Sequence, residues 1–168
     1  MRILGIDPGL ENTGYGCIEV LNNDIILNEA GVIKTKRNHA LEVRLTSIFD
    51  NLCEIINEFN PDIVVIEELY SHYKHPKTAI IMGHARGAII LAAGKNSVGV
   101  VSYSANRIKK SLTGNGHASK EQVQMMIMSV LNLDSPPSPP DISDALAAAL
   151  CHANVVNRNT VDPNLSRY

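Results

Sequence analysis

The chain has 168 residues, 45% of them hydrophobic, and a net charge of −2, enough for one domain that buries roughly two-thirds of its unfolded surface. This composition excludes a disordered or collagen-like chain, and apolar runs interrupted by Gly, His or Arg exclude a bilayer-spanning segment. No stretch resembles a targeting signal, and Cys17, Cys53 and Cys151 are far apart, so they read as small core residues of a cytoplasmic protein rather than as a disulfide or metal set.

Two strands open the chain, 2–7 and 14–21, joined by the turn PGLENTG; a third follows at 25–34, with Asn22, Asn23 and Asp24 marking the hairpin. The apolar run of the first strand, ILGI, goes straight into Asp7. Leu41, Leu45, Ile48, Leu52, Ile55, Ile56 and Phe59 then recur at helical spacing, with Glu42, Asp50, Glu54 and Glu58 off that stripe. They predict an amphipathic helix that ends at Asn60-Pro61. IVVIEE, residues 63–68, has the continuous apolar run of a strand buried on both faces, and it too ends on acid. Residues 77–94 read as a helix, 98–103 as a fifth strand, and 105–112 as a short basic helix capped by Ser104. Ser119 and Gln122 have capping-box spacing for a helix through about Leu131. PPSPP breaks the chain, 141–157 resumes as an alanine-rich helix, and 158–168 read as a loose tail. The order predicts a single α/β domain over 1–157, a five-stranded mixed sheet with helices on both faces.

Charge is unevenly spread. From Leu69 to Lys120 the chain carries eight Lys or Arg residues and no Asp or Glu. That is either a solvated basic face or a surface for phosphates, whose binding is driven by counterion release.

Ligands of open α/β sheets sit beyond the carboxyl ends of the strands. If the first and fourth strands are parallel neighbours, Asp7 and Glu67 meet at one edge. Asp141 and Asp144, three apart at a helix start, share one face. Each acid also has a plain structural reading: Asp7 as a turn residue in Asp-Pro-Gly, Glu67 as an exposed strand end, and Asp141 and Asp144 as N-cap and N3 acids complementing the helix dipole. Those readings do not explain four acids at the ends of three buried elements. Oxygen donors of this kind suit Mg2+, and four carboxylates around two metals about 3.5–4 Å apart suit in-line displacement at phosphorus. With those four charges neutralised the net of −2 becomes +2, compatible with a DNA partner.

GIDPGLENTGYG, VVIEELY, GHARG, GNGHASKEQVQ and DISDALAAAL, in that order and spacing, resemble the RuvC-type Holliday-junction resolvases of bacteria over roughly residues 2–155. The resemblance implies a ribonuclease H-like fold and a symmetric homodimer. It implies Mg2+-dependent paired nicks in two strands of a four-way DNA junction, leaving 5′-phosphate and 3′-hydroxyl ends in recombination and repair. Two Mg2+ per subunit with DNA bound, Mn2+ as a substitute, and a branch-migration motor complex of the RuvA and RuvB type as partner are implied as well. The family's catalytic, metal-binding acids fall on Asp7, Glu67, Asp141 and Asp144; Glu67 matches rather than Glu68 because it directly follows the apolar run. Tyr70 falls where the family carries an aromatic residue that stacks or wedges at the crossover, although a half-buried strand-end tyrosine fits equally. Lys109 and Lys120 match the family's phosphate-contacting bases, with Arg107 and Lys110 as lesser candidates and Gly114 and Gly116 admitting close backbone approach. His84 stands where many relatives have Gln, and some carry His where Asp141 stands. Gly83 and Gly87 in helix 77–94 either pack tightly on the sheet or meet the same helix of a second subunit. His72 and His75 have no partners at zinc spacing.

Other classes fit less well. ATP-binding sugar-kinase or chaperone-like lobes also open with a strand ending in Ile-Asp-x-Gly, but they need two lobes and a second glycine-rich loop. A pre-ribosomal-RNA nuclease of related fold has basic residues in the first turn, where this chain has GLENTGYG. A junction-binding protein without catalysis is opposed by four acids that repel DNA unless metal neutralises them.

Overall fold

A computed structural model describes residues 1–22, 24–68 and 76–161; the readings of Tyr70, His72, His75 and residues 162–168 fall outside them. Strands β1 (Arg2–Asp7), β2 (Asn12–Leu21) and β3 (Asp24–Lys34) form a meander. Helix α1 (Leu41–Phe59), strand β4 (Ile63–Glu67), helix α2 (Pro76–Lys95) and strand β5 (Gly99–Tyr103) follow, then α3 (Ala105–Thr113), α4 (Lys120–Leu131) and α5 (Pro140–Val161). The sheet order is β3-β2-β1-β4-β5. β2 is antiparallel to both β1 and β3, whereas β4 is parallel to both β1 and β5.

The pleat sorts the strand residues between two cores. Leu4, Ile6, Val64 and Ile66 pack with Ile48, Leu52 and Ile56 of α1 and with Ala85 and Ile89 of α2. Ile3, Ile18 and Val65 face the other way, onto Ile108 of α3, Ile127 of α4 and Leu146 of α5. Helices therefore cover both faces, as the periodicities predict. Leu146 is fully buried, and truncating such a side chain to Ala costs about 2–5 kcal/mol.

Helix α5 lies directly on β1 and β2, and three strand glycines make the room. A Cβ at Gly5 would collide with the Ala145 carbonyl oxygen, one at Gly16 with the Leu146 side chain, and one at Gly14 with the Asp141 backbone. The alanines at 145 and 147–149, all buried, are the helix's half of that close contact. The start of α5 is thereby held over the end of β1.

Three boundaries differ from the sequence reading. β2 begins at Asn12 rather than residue 14. α5 begins at Pro140, the residue type preferred at the first helical position, so Asp141 lies inside the first turn instead of capping it. α5 also continues to Val161, so residues 158–161 are helix rather than tail; Pro163 is the first residue in the sequence that forbids continuation. The predicted capping box is present: the Ser119 side chain accepts from the Gln122 N–H, and the Gln122 side chain accepts from the Ser119 N–H. Gly83 and Gly87 point into open space, which removes the reading that they pack on the sheet. Cys17, Cys53 and Cys151 form no disulfide among the described residues, and among those residues no helix is long and apolar enough to cross a membrane.

Candidate active site

Strand parity decides which acid enters the site. In β1, Ile3 faces the α5 core and Gly5 touches α5 itself, so Asp7 continues that row. In β4, Val65 belongs to the same core and Glu67 is the next residue on its face, while Glu68 falls on the opposite parity and is exposed. Asp7 and Glu67 each stand one residue beyond the paired Ile6 and Ile66 of the two parallel strands. Across the antiparallel pair, Asp7 faces Gly14, and the Cβ of Asp141 lies 3.0 Å from where a Gly14 side chain would begin. Asp144, three residues further along α5, shares its face. Three elements thus bring the four acids of the sequence reading to one edge of the sheet.

Their mutual charge is under-compensated. The Asp7 carboxyl is raised from 3.8 to about 7, first by burial and then by the charges of Asp144, Glu67 and Asp141, with Lys120 pulling it back. Glu67 is also raised, by burial and then by Asp144, against the lowering effects of Lys120 and Lys109. The Lys120 ammonium stands 3.5 Å from Asp144, but it is 70% exposed, and such a pair contributes little.

The basic candidates fall into two groups. Lys109 and Lys120 line a cleft of about 220 Å3 together with Glu67, Gln124, Ser143 and Asp144. Arg107, Lys110, Gly114 and Gly116 line a separate, more open hollow of about 540 Å3, with Asn106 and His117. The Arg107 guanidinium lies over the Tyr103 ring, 4.7 Å from its centre, a contact that steadies the cation. Gly114 closes α3 at φ 79°, with its N–H bonded to the Lys110 carbonyl, so its backbone needs a glycine whether or not a ligand approaches.

One residue near the acids escaped the sequence reading. Arg86, inside the GHARG block, donates from one guanidinium nitrogen to the Glu67 carbonyl at 2.9 Å and from the other to the Ser102 hydroxyl at 2.6 Å. It ties the ends of β4 and β5 to α2. The cue in the sequence was an arginine midway along the apolar run between Lys77 and Lys95, but a carbonyl acceptor leaves no mark in a sequence.

The donor set is oxygen-only and anionic, the chemistry that hard divalent cations take. The raised Asp7 carboxyl reflects burial first and then neighbouring carboxylates short of cations. Among the described residues no three acidic, imidazole or thiol side chains converge closely enough, as placed, to share one ion; the donor chemistry and the repulsion carry the fit.

A family model described as Crossover junction endodeoxyribonuclease RuvC matches residues 3–152. The crossover junction endodeoxyribonuclease RuvC of Rhodopirellula baltica is 46% identical over 164 residues, covering 98% of this chain and 92% of that protein. Its counterpart in Caldicellulosiruptor saccharolyticus is 44% identical over 153 residues, 90% of this chain and 92% of that protein. Among solved structures, T. thermophilus RuvC in complex with Holliday junction substrate is 34% identical and superposes with a TM-score of 0.90 over 95% of this chain and 97% of that one. A five-stranded sheet with acids gathered at its carboxyl edge, and identity of this extent along nearly the whole length, lead to one assignment: the chain belongs to the RuvC family of crossover junction endodeoxyribonucleases.

Proposed function

We propose that this protein resolves four-way DNA junctions by paired nicks in two strands, and that Asp7, Glu67, Asp141 and Asp144 hold the divalent metal the reaction needs. Mg2+ is the expected ion, two per subunit with DNA bound and with Mn2+ able to substitute. When bound, the metal supplies an activated water and charge stabilisation at the leaving oxygen. The observation that carries the reading is the gathering of Asp7, Glu67, Asp141 and Asp144 at one edge of the sheet, in a chain of a junction-endonuclease family.

The chain's own residues have separable tasks. Lys109 and Lys120, on the wall of the acid cleft, hold phosphates beside the scissile one and offset the repulsion between DNA and the acids. Arg107 and Lys110 extend that grip along the strand, and Tyr70 stacks at the crossover. Arg86 fixes the backbone from which Glu67 projects. Two copies meet through α2, whose outward face carries Ile80 and Leu91, 61% and 63% exposed, beside the open Gly83 and Gly87. A two-fold pair then presents one site to each of two strands. The reaction belongs to the cytoplasm, where free thiols persist and where a RuvA- and RuvB-type motor would drive branch migration.

The test is incubation with a synthetic four-way junction, with Mg2+ or with chelator. Wild type should nick two strands only with metal. Asp7→Asn should bind the junction yet nick it slower by roughly a thousandfold or more. The parent protein should sediment as a dimer and Leu91→Asp as a monomer. Metal-independent nicking, or nicking by Asp7→Asn at the wild-type rate, refutes the site.

A further inference from the structure

We propose that the basic turn between β3 and α1, carrying Lys34, Lys36, Arg37 and His39, is a second phosphate-binding edge, gripping DNA on the flank of the acids opposite Lys120. The inference rests on the junction-nuclease reading and adds to it a surface that the sequence reading left unassigned.

Sheet topology makes the case. β3 runs antiparallel to β2 and β2 antiparallel to β1, so β3 points the same way as β1, β4 and β5. The carboxyl ends of these four strands lie along one edge, which reads Lys34, Asp7, Glu67, Tyr103 across the sheet. After Tyr103 comes α3 with Lys109. The acids are thus bracketed, with cations from α3 and α4 on one side and cations from the β3–α1 turn on the other. β3 is two strands from β1, a lateral distance of roughly 10 Å. That span is roughly three base-pair rises along the axis of a B-form helix.

The turn is held in a defined shape. The His39 N–H donates to the Lys36 carbonyl at 3.0 Å. The Thr35 N–H donates to the Glu11 carbonyl at 3.0 Å, and its hydroxyl to the Leu10 carbonyl at 2.5 Å. Arg44 Nε, from the first turn of α1, donates to that same hydroxyl at 2.9 Å. Leu10 and Glu11 belong to the turn that directly follows Asp7, so the basic turn is fastened to the segment that carries the acid. Thr35 supplies the fastening, which leaves Lys34, Lys36, Arg37 and His39 exposed and outward.

The local charge is nearly unopposed. From Ala30 to Leu41 the sequence has no acid. Arg37 meets Glu11 at 3.5 Å, with the two side chains 84% and 57% exposed, a contact weak enough for a phosphate to displace. Glu42 is the acid in the first turn of α1.

The test is fluorescence-anisotropy titration of a labelled four-way junction in chelator, so that no strand is cut, at several salt concentrations. Lys36→Gln combined with Arg37→Gln should weaken binding by roughly tenfold at moderate salt and flatten the log–log salt slope by about two. Glu11→Gln, which frees Arg37, should tighten binding. Lys120→Gln serves as the comparison on the opposite flank. If the double variant and Glu11→Gln both bind as wild type at every salt concentration while Lys120→Gln is weakened, the second edge is refuted and the nuclease reading stands. If none of the variants changes binding, both fall.

Discussion

Arg2 and Asp7 stand at opposite ends of one strand and meet opposite surroundings. Around Arg2, charges and polar groups find complements: its N–H donates to the Asp62 carboxylate at 2.7 Å, and its guanidinium reaches the Phe59 carbonyl at 3.0 Å and Glu19 at 3.5 Å. Around Asp7, burial first and then the neighbouring carboxylates raise its proton affinity. Each arginine also holds a backbone carbonyl at the end of an element, Arg2 that of Phe59 in α1 and Arg86 that of Glu67 in β4. The lesson is that one strand can end on a paired cation and, at its other end, on an acid raised by burial together with like charge. At the amino edge unlike charges pair, whereas at the carboxyl edge like charges gather.

The sharpest way to break this contrast is through stability. A carboxyl raised from 3.8 to about 7 binds more protons in the folded state than in the unfolded one. Its contribution to stability therefore falls as pH rises from about 4 through about 7. Asp7→Asn should stabilise the chelated protein by up to ~4 kcal/mol at pH 8 and have little effect below pH 4, as urea unfolding can measure. Asp62→Ala, at the other edge, should instead destabilise it. If both variants move stability the same way at pH 8, the two edges do not differ as described.

Next in size is the pair of arginines. Arg86→Gln should lower nicking roughly 10–100-fold, the usual cost of losing a group that orients a ligand residue. Arg86→Lys should recover part of the rate, and the amide resonances of Glu67 and Glu68 should move in metal-free Arg86→Gln. Arg2→Gln should leave nicking intact and cost about 1 kcal/mol of stability. Equal nicking by Arg86→Gln and wild type would reduce Arg86 to an ordinary packing residue.

Much of this arrangement is legible in the sequence where a local rule decides it. The acids after ILGI and IVVI announce themselves because an apolar run ending on a carboxylate is a local pattern, and Ser119 with Gln122 marks a helix start for the same reason. The choice of Glu67 over Glu68 comes from the family resemblance, and the parity that supports it needs the tertiary fact that Val65 faces the α5 core. Legibility fails where a distant partner decides. Gly83 and Gly87 satisfy the composition of a helix packed on a sheet, yet their outward direction depends on which face of α2 Ala85 and Ile89 claim. Arg86 takes a carbonyl 19 residues back in the chain, an acceptor every residue possesses. The β3–α1 turn reads as an ordinary solvated loop until the direction of β3 puts its end at the same sheet edge as Asp7. Tyr70 lies outside the described residues.

The most direct measurement is the titration of the Asp7 side-chain carboxyl carbon by NMR, in chelator and then in Mg2+. The account predicts a midpoint near 7 without metal and a marked fall once Mg2+ is added. A midpoint near the ordinary 3.8, unmoved by Mg2+, would contradict it.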